Sequence, residues 1–196
     1  MKYLKYILIF ALVAAIVLVP VVAFAKKDDS TGVQNVGYMS ALGIKSTKGK
    51  DGDIDQSFLG TNKAIPRGIR NNNVGNLKLG SSAWKGKIEN SKNTDQVFEQ
   101  FTTYAYGIRA MIYLLINNYI NKGYNTISKI INKYTGNNTS YMNYVSQRTG
   151  FGLDQVISPT KENIKKLVQA MAKFENGREA VLNSQFENGW SLFKNS

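Results

Sequence analysis

The chain has 196 residues, and neither cysteine nor histidine is among them. Without cysteine there is no disulfide frame and no thiolate chemistry. Without histidine there is no Ser-His-Asp triad, no Cys-His pair and no His-ligated zinc or iron site. Any acid–base work falls to Asp, Glu, Lys or Tyr. Acids are themselves scarce: 13 against 25 basic residues, for a net charge of +12. That sign suits nucleic acid, anionic lipid or an anionic polymer such as bacterial cell wall, and equally a basic solvated surface. No zinc-finger or RNA-binding signature is present and the charge is scattered, so nucleic acid is the weakest of the three. Asp51, Asp53 and Asp55 alternate as at the start of a calcium loop, but Gln56 stands where the turn glycine belongs and Asn62 where the closing Glu belongs. No metal and no cofactor are expected.

What is present begins with an uncharged run, Tyr6 to Ala25, between Lys2 and Lys5 on one side and Lys26 and Lys27 on the other. As a helix it would rise roughly 30 Å, one hydrocarbon core. Residues 1–25 are therefore expected to be a transmembrane anchor, or a signal peptide cut after Ala23-Phe24-Ala25. Residues 26–63 are rich in Gly, Ser, Lys and Asp without a sustained period and read as a flexible linker. Residues 64–196 read as a folded domain.

That domain is expected to be α+β, mainly α, with a small antiparallel β hairpin near its start. "NLKL", "AWKGKIE" and "QVFEQF" are strand candidates separated by "GSS" and "NSKNTD". Then the period changes. Ile108, Met111, Ile112, Leu115, Tyr119 and Ile120 share a helical face that ends at Gly123. A second helix carries Ile127, Ile130, Ile131 and Tyr134 inward, capped by Asn125 or Thr126. A third is capped by Asn138 or Thr139 and stops at Gly150. A fourth is capped by Ser158, with Pro159 at its first position, and ends at Gly177. A fifth runs through "REAVLNSQFENGWSLF" with an interruption at Gly189.

The stretch "PRGIRNNNVGN" has no helical period and concentrates amides and guanidinium groups. Arg67 and Arg70 offer planar forks to carboxylates, and Asn71, Asn72, Asn73 and Asn76 each offer a donor and an acceptor. Trp84 adds an aromatic face on which a sugar ring can stack. These seven residues are the candidate substrate-binding set. Against that stands the reading in which the asparagines bond neighbouring backbone in turns and tolerate left-handed conformations.

"RGIRNNNVGNL", "WKG", "TDQVFEQF", "YGIRAM", "NTISKIINKY" and "YMNYVSQRTGFG", in that order between about Pro66 and Ile157, resemble a group of small phage and prophage proteins. These carry an R-G-I-R-N-N-N-P-G-N-I signature and are usually described as virion structural or lysozyme-like proteins. A looser likeness is to glucosaminidase-type peptidoglycan hydrolases. The resemblance implies a lysozyme-like helical domain that acts on peptidoglycan, or descends from enzymes that do. It departs at Val74, where the signature has Pro, and at "TGNNTS", and it does not cover the tail beyond Ile157.

Glycoside cleavage usually needs two carboxyl groups, one of them protonated, though lytic transglycosylases manage with one. Between Pro66 and Ser158 the acids are Glu89, Asp95, Glu99 and Asp154. The resemblance favours Glu89 or Asp95, near the ends of the hairpin. Glu99, between Phe98 and Phe101, is the third candidate, since burial there would suit a general acid; the alternative is an outward strand residue. Asp154 reads as a turn cap. Lysozyme-like enzymes carry their principal Glu on a helix before the hairpin, and no Glu precedes Glu89 here. The expected function is thus a membrane-anchored, virion-associated peptidoglycan glycosidase (muramidase, glucosaminidase or lytic transglycosylase). It would sit in the virion's internal membrane or the host inner membrane facing the periplasm, or be exported after signal cleavage. The alternative is a non-catalytic virion protein that binds cell wall or capsid proteins. Arg67, Arg70 and Arg109 could hold substrate carboxylates or pair with these few acids to brace the fold; for Arg109, on the first long helix, such bracing is expected.

Overall fold

A computed structural model describes Lys63 and residues 65–195 of the chain. The expected anchor and, apart from Lys63, the expected linker lie outside the described residues. Among the described residues no helix is long and apolar enough to cross a membrane.

The domain is mainly helical. A four-residue turn of helix, α1 (Arg67–Arg70), opens it where no helical period was legible. Pro66 sits ahead of it with its fixed φ, and Asn71 closes it. Then α2 (Tyr104–Tyr113), α3 (Ile127–Thr135), α4 (Thr139–Thr149), α5 (Lys161–Asn176) and α6 (Asn183–Lys194) follow. Thr103, Thr126, Asn138 and Thr160 each accept a backbone N–H of the first turn they cap. The fourth long helix is therefore capped by Thr160 rather than Ser158, and Pro159 lies before it. The last begins only at Asn183 and runs unbroken through Gly189. It needs that glycine: a Cβ there would stand 2.5 Å from Cγ2 of Ile108 on α2. The two helices pack along each other at this close approach.

The first long helix is not uniform. After Tyr113 the chain adopts a π-helical segment, Leu114–Tyr119, and a 3₁₀ turn, Ile120–Lys122, before Gly123 stops it at φ 85°. The apolar face predicted for this stretch is inside: Ile108, Met111, Ile112 and Leu115 are fully buried, with Ile127, Ile130, Ile131, Val145, Ile164 and Phe186.

The expected hairpin does not form as strands among the described residues. Two isolated antiparallel bridges stand in its place, Lys78 with Phe98 and Lys87 with Phe101. The stretch 97–102 is the middle of the three. Glu99 N–H donates to Leu77 and Leu79 N–H donates to Val97 on one side. Ile88 donates to Gln100 and Thr102 donates to Gly86 on the other. Each pairing is too short for a ladder. Asn76 and Gln96 take left-handed backbone conformations, φ 50° and 64°, just before their stretches begin. Side chains add to these four backbone bonds in holding the extended pieces in place.

Candidate functional site

The asparagine loop faces inward. Asn71, Asn72 and Asn73 have no exposed surface. Asn73 donates to the carbonyls of Leu77 and Glu99, both at 2.9 Å, and its Oδ1 accepts Leu77 N–H. Asn72, at φ 53°, donates to the Phe101 carbonyl. Asn71 donates to Asp95 at 2.7 Å and accepts from Gln100. The amides thus stitch α1 to the 93–101 stretch, where unpaired backbone would otherwise be buried. This corrects the expectation that these three amides face a ligand: they have been turned into the framework. Helix α2 seals the loop from outside, since a Cβ on Gly107 would stand 1.7 Å from the Asn72 carbonyl oxygen.

Each of the three candidate acids meets a cation, while Oε2 of Glu99 is buried without a hydrogen-bond partner among the described residues. Asp95 accepts both arms of the Arg67 fork, at 2.8 and 2.7 Å, and the Phe98 N–H at 3.0 Å. Arg67 also lies over the Phe98 ring at 4.5 Å. Burial pushes the Asp95 carboxyl up, but the bonds from Arg67, Asn71 and Phe98 outweigh it and hold it down at about 2. A carboxyl so held stays ionised and cannot donate a proton near neutral pH. Glu99 is fully buried; its Oε1 takes the Lys87 ammonium at 2.9 Å and the Gly80 N–H at 3.1 Å. Lys87 goes on to the Gly80 and Ser82 carbonyls. The pair is a hub under the 80–87 loop, not an outward strand residue and its neighbour. Glu89 is 69% exposed and meets Lys92 one turn away, a pairing worth little in water. Arg70 ends α1 half-buried. Trp84 is half-buried and meets Tyr113 edge to face, ring centres 6.1 Å apart.

A carboxyl that the sequence reading passed over is differently placed. Glu175, next to last in α5, is half-buried and forms no ion pair among the described residues. Burial raises it above the ordinary glutamate range, against opposing hydrogen bonds from Asn76 and Tyr141. The Asn76 amide donates to its Oε2 at 3.0 Å. Tyr141 stacks on Phe174 at 3.8 Å, and Tyr134 donates to the Gly75 carbonyl beside it. Burial pushes both phenols up, so they stay donors. Of the expected binding set, Asn76 is the residue whose amide reaches this carboxyl. Glu175 lies in the tail that the motif resemblance did not cover, 99 residues from Asn76. Its local sequence, Phe-Glu-Asn-Gly at a helix end, carries no signal beyond a C-terminal cap.

No protein-family model matches the chain. Protein P5 of Pseudoalteromonas phage PM2 is 30% identical over 136 residues, which span 65% of this chain and 82% of the phage protein. The chain belongs to the protein P5 family. It is thus bacteriophage-related. The P5 likeness agrees with the phage side of the motif resemblance, and the name protein P5 carries no activity.

Proposed function

We propose that this P5-family chain is a membrane-anchored, virion-associated protein with a lysozyme-like domain that cleaves the glycan strand of bacterial peptidoglycan, using Glu175 as its acid. The observation that carries the reading is the Glu175 carboxyl: half-buried, raised by burial, and without a cation to hold it ionised. A general acid needs that combination. The Asn76 amide orients the group. Asp95, Glu99 and Glu89 each have a cation beside them, so the acid moves from the bridged segment to the end of α5. One acid suffices for a transglycosylase-type cleavage. The order of motifs from Pro66 to Ile157 and the positive charge support the wall as partner.

The test is to incubate full-length protein with purified sacculi, following turbidity and then the mass of released fragments. Reducing or anhydro muropeptides are expected from the natural protein and from Glu89→Gln. Glu175→Gln is expected to fold and to release none. Full cleavage by Glu175→Gln would remove the assignment. A second reading has its own support: all three acids of the bridged segment are engaged in pairing or hub contacts. Sacculi that retain the natural protein but stay intact would favour that non-catalytic, wall- or capsid-binding role.

A further inference from the structure

A cleft of about 460 Å³ opens between the 80–87 loop and the first long helix, lined by Ser82, Trp84, Lys85, Arg109, Tyr113 and Asn118. It contains two cations and no acid. Arg109 is 5% exposed. Its Nε donates to the Leu192 carbonyl at 3.4 Å, and its guanidinium lies 5.7 Å from the Tyr113 ring centre. Arg109 thus ties α2 to α6 through a backbone carbonyl, not through the acid that the bracing expectation named. Among the described residues no carboxylate pairs with this arginine. A buried charge without a counter-charge is costly, and one that lines a cavity can be met by an anion from solution.

The helix is built to shape this cleft. Arg109 and Tyr113 are four apart, as an α-helix requires for one face. Asn118 is five beyond Tyr113, the spacing of the π segment Leu114–Tyr119. A regular helix would have offered Asn117 instead. The extra residue brings an amide, donor and acceptor together, onto the Arg109 face. Trp84 and Tyr113, nearly perpendicular at 85°, supply an apolar ring face beside those polar groups. Flat apolar contact, an amide and two cations match one ligand chemistry: a sugar ring that carries a carboxylate.

We infer that this cleft binds an acidic saccharide unit. It is separate from Glu175. Met111 lies two residues, about 200° of helix, from Arg109, and it is Met111 that packs on Gly75 beside Asn76. The inference therefore does not depend on cleavage at Glu175. A carboxylated sugar can come from wall glycan or from a uronic-acid polysaccharide, and the probes below separate the two.

The experiment is calorimetric titration of the full-length protein with N-acetylmuramic acid, glucuronic acid, N-acetylglucosamine, glucose and inorganic phosphate. One or both acidic sugars are expected to bind roughly ten-fold more tightly than their neutral counterparts, with an affinity that falls as salt rises. N-acetylmuramic acid alone would identify the wall as source; both together would identify any carboxylated sugar. Lys85→Glu, at an exposed position, is expected to abolish the preference while the far-ultraviolet spectrum is unchanged. Arg109→Lys keeps the charge but not the fork and is expected to weaken acidic sugars alone. Equal binding of neutral and acidic sugars, phosphate binding as tightly as the acidic sugars, no saturable binding, or indifference to Lys85→Glu would each overturn the inference.

Discussion

Replacing Asp95 by Asn tests whether this carboxyl is framework or chemistry. In the fold its pKa is held at about 2 against an ordinary 3.8. At about 1.4 kcal/mol per pH unit, that difference corresponds to about 2 kcal/mol of stability at neutral pH. Arg67 is 38% exposed and can be rehydrated. The loss should therefore stay near that figure and below the ~3–5 kcal/mol of a fully buried broken pair. The sign follows from the direction of the shift. A depressed carboxyl contributes its stability above its unfolded value and loses it as pH falls through its folded one. The gap between natural protein and Asp95→Asn should thus be full above about pH 5, shrink across the interval from 3.8 to about 2, and close below it. Urea unfolding followed by circular dichroism at a series of pH values measures it. A gap that does not change with pH, or one under ~0.5 kcal/mol at neutral pH, would mean that the Asp95 carboxylate does not brace the fold. Loss of wall cleavage without loss of stability would return Asp95 to the candidate acids.

Glu175→Gln should act oppositely on stability. A raised glutamate favours the protonated fold, so natural stability should decline as pH rises above 4.5, and the variant should lack that decline in the same unfolding series. Lys87→Met leaves the fully buried Glu99 without its cation and should cost ~3–5 kcal/mol, with faster hydrogen exchange at Gly80 and along the loop to Trp84. Gly107→Ala sets a methyl 1.7 Å from a backbone carbonyl that cannot yield. Loss of the folded circular-dichroism signal is expected, and a stable, natural-like variant would contradict the packing described. Asn138→Ala removes the cap of α4 and should cost about 1 kcal/mol in thermal unfolding.

The helices of this domain were legible because their signals are local. Ile127, Ile130 and Ile131 repeat within one turn, and Asn138 or Gly150 mark ends within a few residues of the bonds they make. The absence of cysteine and histidine excluded whole classes of chemistry before any fold was known. The predominance of helix after residue 104 and a relation to bacteriophage proteins were likewise within reach of the chain alone. What tertiary structure decided was direction and partnership. The asparagine loop pointed inward because its acceptors, the carbonyls of Glu99 and Phe101, lie 26 and 29 residues away. No pattern within the loop distinguishes a buried amide from an offered one. Asp95 lost its freedom to Arg67 across 28 residues, and Glu99 to Lys87 across 12. The π segment that places Asn118 beside Arg109 interrupts a stretch whose apolar spacing reads as ordinary helix. Glu175 became a candidate only when α5 brought it to Asn76. A carboxyl's burial and neighbours, which set its protonation, belong to the folded surface around it and not to its place in the chain.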